Sequence, residues 1–248
     1  MRLDSWINER HLLPEVHAGY AAGFASVPYS SVVIDDFLQP AKLAALQRVF
    51  SVEGIFEERY YRWERTAVGK REEPVSFDLW QAGSDAERAS VERVFVGPRP
   101  EFRLGEGIIG HLKFMELLRS PEWMDFLELL TGIRPATLTG FSTRIMVGGQ
   151  YIEPHSDFWE IRDVCGVFYA SDGWQPSFGG RFRHRGPGRD IVPIEPRANR
   201  LLLFEPRPDC THDVEAITKA GEAWERWAFT IWFGMQTSNE KDGAGGGS

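Results

Sequence analysis

His155 and Asp157 stand two residues apart in the stretch YIEPHSDFWEIRDV, among neighbours of strand-like composition. Alternate side chains of a strand leave from one face, so an imidazole and a carboxylate at this spacing can chelate one metal ion if the stretch is extended. His212, in CTHDVEAI, is the natural third ligand. Two imidazoles and one carboxylate on one face of an octahedral ion leave three positions open, as in non-haem Fe(II) centres. His-x-Asp alone is also a common surface or structural pair, and at this point both readings stand.

The stretch RWAFTIWFG, Arg226 to Gly234, adds a second chemical feature. Read as a strand, it puts Trp227, Phe229, Ile231 and Phe233 on one face, an apolar stripe suited to packing under helices. The other face carries Arg226, Ala228, Thr230 and Trp232. A guanidinium taken out of water needs a carboxylate, ideally in a bidentate pair. A bound dicarboxylate would meet that need; so would a strand-end Arg226 reaching solvent, Glu222 or Glu225.

Elements must position these groups. SSVVIDDFLQ reads as a strand running into a turn, and Leu43, Leu46, Val49 and Phe50 recur at helical spacing over Pro40 to Phe50. HLKFMELLRS and SPEWMDFLELLTG read as two helices. The second has Ser120 as N-cap, Pro121 in the first turn and Gly132 just past its end. Between them, IFEERYYRWERTAVGKREEP mixes Tyr60, Tyr61 and Trp63 with many charges, and reads either as a substrate-facing hairpin or lid or as an amphipathic surface element. After Gly140 come TGFSTRIMV, VCGVFYAS, GRFRHR, DIVPI, RLLLFE, HDVEAI and RWAFTIWFG, short strand-like runs separated by Gly, Pro and Asp. Such a series predicts an antiparallel barrel or jelly roll, braced on an outer face by helices from the first half. The expected organisation is one domain over 1–238, with an entry strand and bracing helices to about 139, a β core over about 140–235, and a flexible tail over 239–248.

The 248 residues include 28 basic and 36 acidic side chains, net −8. That field would repel a phosphate backbone, so nucleic acid is not expected as a partner. No secretory signal and no membrane-spanning run is expected. Cys165 and Cys210 fit no metal spacing and no disulfide framework, which agrees with a cytoplasmic location.

Taken in order, GGQYIEPHSD, RDVCGVFYASDGW, FGGRF, PRANRLLLFEPRPDCTHDVEAI and RWAFTIWFG resemble the prolyl-4-hydroxylase-like branch of the Fe(II)/2-oxoglutarate-dependent oxygenases. That pattern has a Gly turn (Gly149), His-x-Asp (His155, Asp157), a tyrosine-bearing strand (Tyr169) and a Gly pair (Gly179, Gly180). A Pro-initiated strand ending in Phe (Pro196 to Phe204), a distal His with Val (His212, Val214) and a final Arg, Thr and Trp (Arg226, Thr230, Trp232) complete it. VIDDFLQPAKLAAL resembles its entry strand and helix. The resemblance implies an all-β core with supporting helices (α+β), folded as a double-stranded β-helix of the jelly-roll, cupin-like kind. It implies that His155, Asp157 and His212 are the catalytic Fe(II) ligands, and that Arg226, with Thr230, binds the distal carboxylate of 2-oxoglutarate. Oxidative decarboxylation of that cosubstrate by O2, giving succinate, would be coupled to hydroxylation of an aliphatic C–H bond, with an amino acid, free or within a peptide or natural product, as the expected substrate.

Met146 stands where many relatives carry a tyrosine that touches the cosubstrate, and the interval from His212 to Arg226 is longer than usual. Arg200 and Arg144 are therefore alternative carboxylate anchors. The presence of Asp157 implies hydroxylation rather than halogenation. Trp232, in place of a second Arg, argues against demethylation of nucleic-acid bases. Desaturation or epoxidation at the same centre, or a non-catalytic metal- or 2-oxoglutarate-binding barrel acting as a sensor, are the alternative readings. Phe158, Trp159 and Arg162 could line the entrance, with Arg162 meeting a substrate carboxylate; core packing and a solvated face are the bland readings. Arg181, Arg183 and His184 follow the Gly pair, and for Arg183 and His184 a solvated strand face is expected.

Overall fold

The computed structural model describes residues 2–26, 30–66, 69–99, 104–159, 161–186 and 191–235. The expected tail over 239–248 lies outside them. The described residues form six α-helices: α1 (Pro14–Ser26), α2 (Pro40–Arg48), α3 (Phe77–Ala82), α4 (Asp85–Ala89), α5 (Glu106–Leu118) and α6 (Pro121–Thr131). The first seven strands are β1 (Ser31–Ile34), β2 (Glu57–Thr66), β3 (Gly69–Val75), β4 (Glu92–Gly97), β5 (Thr137–Met146), β6 (Ile152–His155) and β7 (Arg162–Tyr169). The rest are β8 (Phe182–Arg185), β9 (Val192–Ile194), β10 (Arg200–Phe204), β11 (Thr211–Val214) and β12 (Arg226–Gly234). No helix among the described residues is long and apolar enough to cross a membrane.

Two antiparallel sheets face each other, one ordered β1-β10-β7-β12-β5-β4-β2-β3 and the other β6-β11-β8-β9. Side-chain alternation explains the layering. On β7, Val164 and Phe168 enter the core beneath the helices, while Cys165, Val167 and Tyr169 enter a second core between the sheets. On β10, Leu201 and Leu203 face the first core and Leu202 and Phe204 the second. A strand covered on both faces is apolar along its covered length, which is why Leu201 to Phe204 form one unbroken apolar run. The stripe predicted on β12 is real: Phe229, Ile231 and Phe233 lie in the helix-side core, Ala228 and Trp232 on the other side. Phe229 is fully buried, so Phe229→Ala should cost about 3–5 kcal/mol.

The helix side is closed by α5, through Ile108, Phe114 and Leu117, and by α6, through Trp123, Phe126 and Leu130. α6 begins and ends as its sequence predicts: the Ser120 hydroxyl accepts from the Trp123 N–H, and Gly132 ends the helix at φ 76°. α5 starts at Glu106, before the predicted HLKFMELLRS. The entry segment is tied to the core by Asn199, whose side chain donates to the Leu38 carbonyl (2.9 Å) and accepts from the Leu38 N–H (2.8 Å).

The architecture is the expected double-stranded β-helix with supporting helices. Two features of the first half go beyond expectation. α1 was not foreseen, and β2, β3 and β4 extend the larger sheet over a stretch read as either a hairpin or lid or an amphipathic surface element. IFEERYYRWERTAVGKREEP folds back on itself as a hairpin, with Trp63 opposite Glu72.

Candidate functional site

His155 and His212 are paired across β6 and β11, and their rings meet edge to face with centroids 4.3 Å apart. Asp157 lies beyond the end of β6, so the strand-face argument holds for His155 alone; the loop that follows delivers the carboxylate. His212 Nε2 lies 3.5 Å from Asp157 Oδ2, and His155 Nε2 lies 4.0 Å from Oδ1. One ligand atom from each residue lies within 4.8 Å of the others. The surface-pair alternative fails because all three sit in a cavity, nearly covered.

The protonation states suit a cation. His155 Nδ1 faces the Glu153 carbonyl at 2.8 Å, so in the neutral ring Nδ1 carries the hydrogen and Nε2 offers its lone pair. Burial among Phe182, Phe204 and His155 pushes the His212 pKa down to about 3. Burial lowers that of His155 as well. For Asp157, burial works upward, but the neighbouring His212, His155 and Arg162 outweigh it and hold the carboxyl below its usual range. Two neutral imidazoles and an ionised carboxylate are the donor set that a divalent metal takes.

Arg226 lies in the same cavity, which has a volume of about 500 Å³. Its guanidinium is buried, with Nε donating to the Gly180 carbonyl (3.0 Å) and Nη1 near Met146 Sδ (3.7 Å). The Tyr169 ring lies 5.0 Å beneath it, and the buried Tyr169 hydroxyl finds no acceptor among the described residues. Gly179 and Gly180, both at φ 72°, bring the backbone in at this point; a Cβ on Gly179 would lie 2.2 Å from the Ala216 oxygen. No carboxylate pairs with Arg226 among the described residues. Glu225, one of the sequence-level alternatives, accepts instead from Trp227 Nε1 at 2.8 Å. Burial lowers the Arg226 pKa, yet a guanidinium keeps its charge. A buried cation facing a cavity therefore lacks a counter-charge, and a dicarboxylate fits it. Thr230 lines the same space.

The alternative anchors have other partners. Arg200 holds Asp35 in a bidentate pair (2.5 and 2.9 Å) and lies outside the cavity. Arg144 lines the cavity, with Nη2 on Glu72 Oε1 (3.0 Å) and Nε on Ser142 Oγ (3.1 Å).

Trp159 stands half-exposed at the rim, and Phe158 lines the wall. Arg162 also borders the cavity, but its Nη1 pairs with Asp157 Oδ1 at 3.2 Å, and its guanidinium lies 4.8 Å over the Trp232 ring. The expected solvated face of β8 is corrected on both residues. His184 is buried against Phe204 and Phe182. Arg183 and Arg185 both clamp the buried Asp213 (Nε to Oδ, 2.6 and 2.7 Å), because alternate residues of β8 share a face, opposite to that of His184. Trp63, placed by sequence in a possible substrate-facing hairpin, stacks on His155 (4.3 Å), and Glu72, which sequence reasoning did not single out, lies beside it in the wall. Their signal was the aromatic cluster in a charged strand, which the surface reading discounted.

Residues 141–234 match the family described as the 2OG-Fe(II) oxygenase superfamily. No curated protein sequence matches the chain. Among solved structures, the chain resembles a prolyl-4-hydroxylase from Pseudomonas putida at 16% identity and TM-score 0.54, covering 89% of this chain and 100% of that one. It resembles a prolyl hydroxylase from Trichoplax adhaerens, solved with a hypoxia inducible factor peptide fragment, at 16% identity and TM-score 0.56 over 91% of each chain. A 2OG-Fe(II) oxygenase family oxidoreductase from Burkholderia pseudomallei gives 16% identity and TM-score 0.57, covering 88% of this chain and 90% of that one. These likenesses are likenesses of fold. The match to the 2OG-Fe(II) oxygenase superfamily covers residues 141–234, the part that carries the His-Asp-His cluster and the β-helix core, and it supports a dioxygenase that uses Fe(II), 2-oxoglutarate and O2.

Proposed function

We propose that His155, Asp157 and His212 ligate Fe(II), that Arg226 with Thr230 binds the distal carboxylate of 2-oxoglutarate, and that the enzyme hydroxylates an aliphatic C–H bond of an amino acid, free or within a peptide or natural product. The observation that carries this reading is the buried, carboxylate-free Arg226 in the cavity of the triad. A metal-binding module without turnover would have no use for that cation, whose burial is costly without a partner. Bound Fe(II) supplies the redox chemistry with the cosubstrate and O2. The chain's own residues hold His155 Nε2 deprotonated, keep Asp157 ionised, and wall the reacting centre from water with Phe182, Phe204 and Trp63.

Tyr169 joins this proposal as a second donor to the distal carboxylate, since its buried hydroxyl lies beside Arg226 and no acceptor for its O–H is present among the described residues. The peptide in the Trichoplax neighbour keeps peptide substrates within the reading. Residues 1–238 are read as one oxygenase domain, and a cytoplasmic location is in keeping with two buried, free cysteines.

The test is succinate formation by protein prepared without oxygen, then given Fe(II), 2-oxoglutarate and air. Iron-dependent succinate that disappears in His155→Ala, together with loss of calorimetric 2-oxoglutarate binding in Arg226→Ala, is the expected result. Wild-type turnover in a folded His155→Ala protein would sink the ligand assignment.

A further inference from the structure

Resting on that reading, we infer that Arg144 is the dock for a carboxylate of the substrate, so that the substrate is a molecule with a free carboxylate rather than an internal segment of a peptide. Bound 2-oxoglutarate would use one carboxylate at the metal and the other at Arg226, so the cosubstrate leaves Arg144 without a task. Arg144 and Met146 project from the same face of β5, and Met146 touches Arg226. The two guanidinium groups thus border one cavity, two residues apart along the sheet, with Arg226 deep and Arg144 beside the β2–β3 hairpin.

Arg144 is equipped for a further anion. Of its five N–H donors, Nε serves Ser142 and Nη2 serves Glu72, and among the described residues no acceptor engages Nη1. Its side chain is 14% exposed, whereas its partner Glu72 is 39% exposed and hinges on a hairpin strand. A carboxylate arriving from the mouth can take the open Nη1–Nη2 edge in bidentate fashion while Glu72 stays or yields.

Charge in the cavity points the same way. Arg71, Arg144, Arg162 and Arg226 line it against Glu72 and Asp157, in a chain whose net charge is −8. Arg71 is met by Glu64 from outside the cavity (2.5 Å), which leaves one positive charge in excess. Fe(II) and the 2-oxoglutarate dianion cancel each other and do not remove it. A substrate carboxylate seated at Arg144 meets that charge locally, with any ammonium group of the substrate directed elsewhere. Trp63 and Trp159 on the same wall supply apolar surface for the rest of a small molecule or a chain terminus.

The experiment reads substrate-stimulated succinate formation by the wild-type protein with three sets of probes: free L-amino acids, short peptides with a free C-terminal carboxylate, and the amides or methyl esters of both. Stimulation by acids of either set, reduced tenfold or more in the matching amide or ester, is the expected result, and the set that works tells free amino acid from chain terminus. Equal stimulation by acid and amide, or stimulation by neither, overturns the inference. In Arg144→Met the KM for the active acid should rise tenfold or more. Calorimetric 2-oxoglutarate binding with Mn(II) in place of iron separates the two claims. If Arg144→Met abolishes that binding, Arg144 is the cosubstrate anchor and this inference falls while the oxygenase reading stands. If His155→Ala leaves succinate formation intact, it is the oxygenase reading that falls.

Discussion

The indole of Trp63 stacks on the imidazole of His155, with ring centroids 4.3 Å apart and planes 20° from parallel. The same indole donates from Nε1 to Glu92 Oε1 at 2.9 Å, and that carboxylate also accepts the backbone N–H of Glu153, two residues before His155. The β2–β3 hairpin is thereby fastened to the segment that carries a proposed metal ligand, by one ring contact and one shared acceptor.

Removing that fastening should be felt at the metal. In Trp63→Leu the imidazole loses its stacked neighbour and Glu92 loses a donor, so the ring can swing. Fe(II) or Mn(II) affinity is expected to fall about 10-fold or more, the range for residues that orient ligands. Calorimetric titration checks this, and unchanged affinity would show that the hairpin is not coupled to His155.

Arg162 offers a second way to disturb the carboxylate. Its guanidinium takes Asp157 Oδ1 and the Asp157 carbonyl, at 3.2 and 3.3 Å, leaving Oδ2 on the His212 side. Arg162→Leu should lower metal affinity about 10–100-fold by freeing Asp157 to rotate, while Arg162→Lys should recover only part of it, because an ammonium cannot reproduce the planar fork.

The buried titratable groups predict opposing pH trends in the metal-free protein. Burial drives His111 and His184 down to about 4. Unfolded, these rings titrate near 6.5, so the unfolded state holds more protons between those values and stability is lost as pH falls from about 6.5 towards 4. Glu92 runs the other way: burial raises it to about 7, the folded state holds the extra proton, and stability is lost as pH rises from about 4.5 to 7. Urea denaturation across pH 5 to 8 should therefore show a shallower acid limb in His111→Gln, by up to about 1.4 kcal/mol per pH unit. Glu92→Gln should gain stability over the wild type at pH 8. Parallel curves for all three proteins would refute the assignment.

Asp213 adjoins His212 and is clamped by Arg183 and Arg185. Asp213→Ala removes two charge-assisted hydrogen bonds between β8 and β11. Because both arginines are about one-third exposed and can turn to water, the cost should be about 1–3 kcal/mol rather than that of a stranded buried charge. Thermal denaturation reads it; a loss below about 0.5 kcal/mol would mean the clamp is ornamental.

Legibility from sequence followed how local the signals were. α6 could be read whole because its cap, its Pro and its terminal Gly are all within the helix. β12 could be read because its two faces differ within nine residues. The proposed ligand set was legible for a different reason, the order of several motifs along the chain. What could not be read depends on partners distant in sequence. Arg183 looked solvated because Asp213 is thirty residues away, and Arg200 looked available because Asp35 lies at the other end of the chain. Trp63 looked like surface decoration because nothing near it in sequence shows that it will rest on His155.

The order of the larger sheet bears on how the chain is made. β12, made after every other described strand, lies in the middle, between β7 and β5. Until it arrives, β1-β10-β7 and β5-β4-β2-β3 are two separate ribbons, each with an unpaired edge of the kind that recruits other chains. Synthesis that stops short of Arg226 would thus leave a nascent protein with every proposed iron ligand already present and two open edges side by side. The strand that brings the proposed cosubstrate anchor is also the one that joins the ribbons, so completing the anchor and protecting the sheet from aggregation happen in the same step.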